Sequence, residues 1–356
     1  MTSEGSRFEP DPEELVGAPE LLPEGWSVGT PDPDDPADVE RLTELLRAHE
    51  RDGRGWAGAG KEDVLVEVSD RGLRTRQNVV VRDETGVVRA WGSVHDRAGG
   101  RMLFLHVVER GIDERLGRAC SDLLVEWAAG QAREVGGARG LAVQQIDTGS
   151  FADDERQHRW LAAGGFEKVR TWWQMKRPVT PDEVALVPDP ARWQLDEVQV
   201  RLVEKGADGK PVDADLRKVH DVLEAAFTDH FNSKPETFDE FVHRLREDPG
   251  HRWDHWWLAE LGDTPVGALV ATVSESTGGP DGSYVDYIGV IGLARGRGVA
   301  KGLLRTVIAD AAARGRDRVG LEVDADSPTG ADRLYRGMGW ETSYVTESWH
   351  RDVPVG

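Results

Sequence analysis

The sequence predicts an α/β protein of two tandem domains, each with a mixed, mostly antiparallel central sheet flanked by helices. First, its 356 residues are about twice the usual length of one domain. Second, strand and helix patterns follow in the same order on either side of a Pro- and Asp-rich stretch at 178–192. Third, the closing stretches GFEKVRTWWQMKR (165–177) and GWETSYVTESWHR (339–351) share a Gly, an aromatic residue, a Glu and a terminal Arg at identical offsets. Together these observations favour a duplicated unit.

The first domain is expected over 25–177, after an acidic, Pro-containing tail at 1–24 that we interpret as solvated. Alternating apolar residues predict strands, and apolar residues spaced three and four apart predict helices. The predicted strands are 26–30, 78–82, 87–95, 102–108 and 140–146 with a final strand pair, and the predicted helices are 36–50, 114–134 and 156–163.

The second domain is expected over 193–356, with 178–192 as the linker. It shows the same succession of patterns as the first. The predicted strands are 198–203, 256–260, 266–274, 283–290 and 318–323 with closing strands, and the predicted helices are 215–229, 235–246, 298–314 and 328–338.

Composition limits the partners and the compartment. The formal net charge of −21 repels phosphate backbones and anionic lipids, so we expect neither nucleic acid nor a membrane surface as a partner. The single cysteine, Cys120, cannot form an internal disulfide and favours a cytoplasmic location, although adaptation to a saline exterior would also explain the acidity. No stretch is apolar enough to span a bilayer, and 1–24 lacks the apolar core of a signal peptide. The expected state is a monomer or a homodimer.

The stretch LARGRGVAKGLL (293–304) joins a strand to an amphipathic helix and is the clearest candidate for a binding site. Gly296 and Gly298 carry no Cβ atoms, so a ligand can approach the unpaired backbone N–H groups at the start of the helix. Arg295 and Arg297 add positive charge to the positive end of the helix dipole. The loop therefore predicts an anion-binding cradle, despite the negative charge of the whole chain.

Two common phosphate-binding motifs do not fit this loop. A P-loop needs a GK[ST] ending, which GVAKGLL lacks. A dinucleotide fingerprint needs G-x-G-x-x-G after the first strand of a βαβ unit, whereas three predicted antiparallel strands precede this loop. The pattern R-x-x-G-x-A at Arg295–Ala300 instead resembles the pyrophosphate loop of the GNAT (Gcn5-related N-acetyltransferase) superfamily. The tandem arrangement is loosely similar to the mycothiol synthase type.

This resemblance implies that acetyl-CoA is the co-substrate and that no metal is needed. It assigns the pyrophosphate to the loop and the pantetheine arm to backbone amides of the preceding strand. The cofactor-binding residues implied in this way are Ile288, Gly289, Val290, Arg295, Gly296, Arg297, Gly298, Val299 and Ala300.

The resemblance also implies the catalytic residues. In DSPTGADRLYRGMGWE (326–341), Tyr335 matches the tyrosine that protonates the leaving thiolate in this superfamily; the alternative is that it only packs against the sheet. Asp286 is the only carboxylate in the strand SYVDYIGV, where relatives carry a base. We expect Tyr284, Asp286, Ile288 and Val290 to share one face, and a half-buried Asp286 to have a raised pKa. The alternative is an Asp286 that points to solvent.

The acceptor pocket is expected beside the helices that follow the first strand of the second domain. His230 and Asn232 in 226–241 are candidate substrate-binding residues, and Tyr284 stands where the mycothiol synthase type has a glutamate. His255 and the tryptophans of HRWDHWW (251–257) would form an aromatic wall for a cationic amine, but such residues more often belong to a core.

The first domain is predicted to be a degenerate copy. Arg118 and Cys120 stand where the second domain has the glycine and alanine of the cradle, and Trp160-Leu161 stands where Leu-Tyr is expected. His106 matches Asp286 in position, but a single histidine in a strand is more often structural.

We therefore expect an acyltransferase whose C-terminal domain moves an acetyl group from acetyl-CoA to a primary amine of a small molecule. A protein amine acetyltransferase and a non-catalytic acyl-CoA sensor are the alternatives.

Overall fold

The computed structural model describes residues 22–97, 101–228, 236–247, 252–276, 279–326 and 330–356. The helices are α1 (Pro36–Arg54), α2 (Lys61–Val68), α3 (Glu114–Ala138), α4 (Glu155–Ala163), α5 (Asp213–Ala226), α6 (Phe238–Glu247), α7 (Val299–Ala313) and α8 (Ala331–Gly337). The strands are β1 (Ser27–Gly29), β2 (Arg76–Arg82), β3 (Val88–Arg97), β4 (Arg101–Val108), β5 (Val143–Phe151), β6 (Glu167–Pro178), β7 (Arg192–Leu195), β8 (Val198–Leu202), β9 (Trp256–Leu261), β10 (Thr264–Ser274), β11 (Gly282–Val290), β12 (Arg318–Asp324) and β13 (Glu341–Pro354).

The order of elements is the same in both halves, which confirms the α/β fold class. From β1 to β6 and again from β8 to β13, the chain runs strand, two helices, three strands, helix, strand, helix, strand. Sequence analysis missed α2 and β7, and it expected strand pairs where β6 and β13 are each one long strand.

The chain divides into two units whose limits differ from the predicted domain ranges. The N-terminal unit comprises residues up to 169 together with 347–356, and the C-terminal unit comprises 170–346. Strand β6 therefore begins in the first unit and ends in the second, and β13 does the reverse. The predicted linker 178–192 contains a 3₁₀ helix at Pro181–Leu186.

In the N-terminal unit, the strand order is β1-β2-β3-β4-β5 followed by the end of β13. The β4–β5 pair is parallel, and β1–β4 pair with one another in antiparallel fashion. Helix α3 packs on one face of the sheet, through a cluster that includes Leu123, Leu124 and Ile146. Helices α1 and α2 cover the other face.

In the C-terminal unit, the order is the end of β6, then β12-β11-β10-β9-β8-β7. The β11–β12 pair is parallel. Helix α7 packs on one face, and helices α5 and α6 pack on the other. The expected stripe of α7 is fully buried, and each large aliphatic side chain in it contributes about 1.5–3 kcal/mol to stability; the stripe consists of Val299, Leu303, Leu304, Val307, Ile308 and Ala311.

Candidate functional site

The start of α7 has the features expected of an anion cradle. Its N-cap, Gly298, has φ 77° and supplies no side-chain acceptor to the first-turn N–H groups. Gly296 has φ 79°, and no atom lies within 4 Å of the position that a Cβ would take at either glycine. Both turns favour glycine because other residues rarely adopt a positive φ. The helix therefore presents its free donors and its positive dipole end to an open space.

Two exposed arginines flank this helix terminus. Arg295 Nε donates to the carbonyl of Val290 at 3.4 Å. Arg297 forms an ion pair with Glu197 at 3.6 Å, and the two side chains are 52% and 80% exposed, so solvent screens this pair strongly. Val299 is buried, so only its backbone faces the cradle, whereas Ala300 is partly accessible. Both guanidinium groups remain able to contact an incoming anion.

Strand β11 leaves part of its backbone edge unpaired beside the cradle. Its parallel ladder with β12 joins only Ser283–Val285 to Val319–Leu321, so among the described residues this ladder does not reach 288–290. No described side chain donates to the carbonyl of Ile288. We call residues 288–290 the unpaired edge of β11. Such an edge can hydrogen-bond an extended ligand in the manner of an added strand.

A β-bulge lies just before this edge and corrects the predicted face assignment. The pairing with β10 passes from Tyr287 opposite Val270 directly to Val285 opposite Ala271, so Asp286 is the extra residue of β11 at the bulge. The alternation therefore shifts by one residue. Ile288 and Val290 share the α7 face with Val285, whereas Tyr287 packs against the cluster of α5 and α6.

Asp286 is exposed, so the expectation of a half-buried carboxylate was wrong. The bulge turns its side chain to the face of Thr272, whose hydroxyl donates to Asp286 Oδ1 at 3.4 Å. A role for Asp286 as a base therefore depends on its position beside the unpaired edge and not on burial.

Tyr335 lies on α8 and is 7% exposed. Its ring contacts that of Trp340, with centroids 6.1 Å apart, and burial raises the pKa of the hydroxyl to about 12. None of the described residues forms a hydrogen bond with this hydroxyl. A tyrosine in this state stays protonated at neutral pH, as a proton donor must.

The acceptor-side predictions have mixed outcomes. His230 and Asn232 lie outside the described residues. Tyr284 donates through its hydroxyl to Gln174 Oε1 at 3.2 Å. The aromatic wall is wrong for Trp256 and Trp257, because both are fully buried on opposite faces of β9.

His255 is also part of the core. It is completely buried, and its pKa is lowered to about 3 by burial and by the charge of Arg314. It offers no surface to a substrate.

Sequence analysis missed two polar side chains on the same face as Tyr284. Glu322 on β12 and Gln174 on β6 lie directly opposite each other, and Gln174 Nε2 donates to Glu322 Oε2. In the sequence, the one feature that could have pointed to Glu322 is its position as a lone carboxylate within the apolar run VGLEV (319–323).

The corresponding region of the N-terminal unit is closed by its own side chains. The pairing of β4 with β5 ends at Phe104 and Thr148. Beyond it, alternate carbonyls of β4 accept from side chains: Phe104 O from Thr148 at 2.7 Å, His106 O from Gln157 at 3.4 Å and Val108 O from Arg156 at 3.4 Å. An extended ligand would have to displace all three donors.

The helix terminus of that unit is also occupied. Asp113 is the N-cap of α3, and its carboxylate accepts from the N–H groups of Arg115 and Leu116. Arg118 and Cys120 both lie within α3, beyond its N-cap, so their predicted match to the cradle residues Gly298 and Ala300 was wrong. Arg118 is exposed, and Cys120 is buried and does not project towards the helix terminus. The cap and the closed edge give a physical reason for the predicted degeneracy of the first domain.

His106 has a structural role here, as expected. It is buried, its ring contacts Ser121 Oγ at 2.9 Å, and burial lowers its pKa to about 4. It borders a cleft of about 160 Å³ with His49, Arg110, Asp154, Arg156 and Trp160. Arg110 and Asp154 form an ion pair across it.

The comparisons with known proteins agree with this geometry. Residues 216–340, which include the cradle, the unpaired edge and Tyr335, match the Acetyltransferase (GNAT) family. The predicted resemblance is thus confirmed, and the predicted enzyme class, an acyltransferase, is the class of that family.

A mycothiol acetyltransferase from Thermobispora bispora is 32% identical over 194 residues, which cover 54% of this chain and 60% of that protein. The chain thus matches less than two thirds of the length of this curated relative. The crystal structure of a GCN5-related N-acetyltransferase from Sphaerobacter thermophilus is 25% identical and has a TM-score of 0.70, with 94% of this chain and 98% of that one covered.

A tandem GNAT protein from the clavulanic acid biosynthesis pathway has a TM-score of 0.64 at 14% identity and covers 92% of this chain and 98% of its own. It shares the tandem fold.

The described residues contain no group of three or more His, Cys, Asp or Glu side chains that could hold a metal ion. In the same residues, no helix combines the length and apolar character that crossing a membrane requires.

Proposed function

We propose that the chain is an acetyl-CoA-dependent N-acetyltransferase whose C-terminal unit transfers an acetyl group to a primary amine of a small molecule. The observation that carries this proposal is the uncapped start of α7, directly after Arg295 and Arg297. The match of residues 216–340 to the GNAT family supports it.

The pyrophosphate of coenzyme A would lie at this cradle. The first-turn N–H groups, with Gly296 and Gly298 making room for them, would donate to its oxygens, and the two arginines would supply charge-assisted hydrogen bonds worth about 1.5–3 kcal/mol each. Such local contacts exceed the screened repulsion from distant surface carboxylates.

The pantetheine arm would lie along the unpaired edge of β11. Its amide groups can exchange hydrogen bonds with the backbone of Ile288, Gly289 and Val290, as an added strand does. Because Gly289 has its Cα close to Ala226 and Leu223 of α5, a side chain there would displace that helix. The backbone edge is therefore open to a ligand, while one face of the strand packs closely against α5.

Acetyl transfer forms a bond between the amine nitrogen and the acyl carbon and breaks the carbon–sulfur bond. The amine loses a proton and the departing sulfur gains one. We assign the second proton to Tyr335, whose hydroxyl is buried and protonated. We assign the first proton to Asp286, directly or through water. Tyr284, with His230 and Asn232, would contribute to the acceptor site.

A small-molecule acceptor is supported by the similarity to a mycothiol acetyltransferase. The acidic surface of the chain favours an acceptor that approaches as a cation.

A pair of glycine variants tests the cradle. Gly298→Asp places a carboxylate at the start of α7, where Asp113 caps α3, and should weaken acetyl-CoA binding at least tenfold in calorimetry. Gly315→Asp is the matched control: Gly315 has φ 69°, lies in open space and follows the other end of α7. Equal affinity of the two variants would contradict the proposal.

Turnover of the unmodified protein is measured as the release of free thiol from acetyl-CoA with a panel of amines. Tight binding of acetyl-CoA without turnover would indicate an acyl-CoA sensor.

A further inference from the structure

Glu322 belongs to a hydrogen-bonded group of side chains that is centred on Gln174 and contributed by four strands. Gln174 on β6 donates through Nε2 to Glu322 Oε2 and contacts Thr346 Oγ1 on β13 at 3.2 Å. The other end of the Gln174 amide, Oε1, accepts from the Tyr284 hydroxyl on β11. Because both ends of its amide are engaged, Gln174 is held in one orientation and holds the carboxylate in turn.

This group lies on the same face of the sheet as Asp286. Tyr284 pairs with Gly320 in the β11–β12 ladder, so Glu322, two residues further on, has its side chain on the same face. The β11–β12 ladder ends at Val285 and Leu321, one residue before Glu322. The Glu322 carboxylate therefore lies where β11 and β12 separate, next to the unpaired edge of β11. Thr272 on β10 connects Asp286 to the same face.

Within the described parts of the chain, the Glu322 carboxylate has no counter-ion. Among the described residues no lysine, arginine or histidine forms an ion pair with it, whereas its neighbour Asp324 is near Arg170 Nε at 3.8 Å. The side chain remains exposed to solvent, yet the protein around it raises its pKa, and the charge of Asp324 adds to this effect. The carboxylate is therefore accessible to a ligand and partly shielded from water by the surrounding protein.

We propose that Glu322 binds the ammonium group of the acceptor, with Gln174 as the residue that positions the carboxylate. This inference rests on the proposed function and names its substrate class: a cationic primary amine. An ammonium group supplies the missing counter-charge and three N–H donors for the free carboxylate oxygen and neighbouring acceptors. Asp286, on the same face, can then take the proton that the amine must lose.

The first test is steady-state kinetics with Glu322→Gln, using 1,4-diaminobutane, glucosamine and lysine amide as acceptor probes. Loss of a charge-assisted hydrogen bond should raise KM for the amine about tenfold or more, without changing the affinity for acetyl-CoA. Asp286→Asn should instead lower kcat. Glu204→Gln is the control, since Glu204 is an exposed carboxylate in the same unit, outside the site.

The second test is the pH profile of Gln174→Met, which keeps the side-chain length and removes the amide. The hydrogen bond from Gln174 lowers the pKa of Glu322. Without it, the fall of kcat/KM on the acid side should move to higher pH. The variant retains the ionisable groups around Glu322, which include Asp324, Arg170 and Lys176, the neighbouring Asp286, and the tyrosines Tyr284, Tyr287 and Tyr344. If Gln174 had a purely structural role, the variant would lose activity without a shift in the pH at which kcat/KM falls on the acid side.

Three results would overturn the inference. The first is turnover whose KM is unaffected by Glu322→Gln, and the second is an acid limb that stays in place in Gln174→Met. The third is the absence of both turnover and saturable amine binding in protein that still binds acetyl-CoA. Failure of the proposed function has a different signature, which is loss of acetyl-CoA binding in the unmodified protein.

Discussion

Asp113 and Gly298 are the N-cap residues of corresponding helices, and only Asp113 caps its helix. The Asp113 carboxylate accepts two backbone N–H groups of α3, whereas Gly298 leaves the donors of α7 free. A carboxylate at a helix N-terminus satisfies the donors and the dipole that an anion would otherwise bind. The two units thus differ in the backbone donors on which the proposed cofactor binding depends.

We predict that one acetyl-CoA binds per chain. The N-terminal unit has a capped helix and a β4 edge filled by Thr148, Gln157 and Arg156, so it should not contribute a second site. Calorimetric titration should give a stoichiometry near one, and Gly298→Asp should remove most of the heat. Two equivalents bound, or strong residual binding in that variant, would show that the N-terminal unit is competent.

Removal of the flanking arginines should weaken binding and reduce its salt dependence. Each of Arg295→Ala and Arg297→Ala loses a charge-assisted contact, so the dissociation constant should rise about tenfold per residue. Affinity measured from low to high ionic strength should fall less steeply in the double variant. Arg118→Ala is the control, because Arg118 is 60% exposed near the start of α3. An effect of equal size in the control would point to net charge alone.

Replacing Tyr335 with phenylalanine should lower kcat by about 10²-fold or more, since general acid catalysis contributes on that scale. Packing against Trp340 uses the ring and not the hydroxyl, so acetyl-CoA affinity and Tm should stay close to those of the unmodified protein. Rapid kinetics of thiol release with a good acceptor provides the measurement. Unchanged kcat in a well-folded variant would remove Tyr335 from the chemistry and leave it as a packing residue.

The free energy of unfolding should fall as the pH is lowered from about 6.5 to about 4, partly because of His106. Its pKa is lowered from 6.5 to about 4 in the folded state, so the unfolded chain binds the proton first. Stability is therefore complete above pH 6.5 and decreases below it, by at most about 1.4 kcal/mol per pH unit for one histidine.

Urea unfolding of His106→Gln at pH 7 and pH 5 should show a smaller difference than the unmodified protein. The exposed His243 offers the control substitution His243→Gln. Equal pH dependence in all three proteins would assign the effect to other groups.

The sequence was sufficient for the features that local pattern determines. The order of elements, the buried stripe of α7 and the glycine turns at 296 and 298 all follow from residue periodicity and from the conformational range of glycine. The motif around Arg295 identified the family, because its residues are contiguous along the chain.

Features that depend on distant pairing were not predictable in this way. The bulge at Asp286 depends on how β11 pairs with β10, and strict alternation therefore placed Ile288 on the wrong face. Glu322, Gln174 and Thr346 come from three strands far apart in sequence, and no spacing rule brings them together. For Trp256 and Trp257 the sequence left a pocket wall open but favoured a core, and strand pairing buries both.

The passage of β6 and β13 between the units affects how the protein can be divided. A cut at 178–192 would leave residues 170–177, the partners of β12, on the N-terminal fragment, although they belong to the C-terminal unit. The same cut would separate 347–356 from the N-terminal unit. Neither half should therefore fold as an autonomous module, and deletion of 347–356 should destabilise the N-terminal unit. The chain itself thus links the folding of the two units, so that neither can be removed without cost to the other.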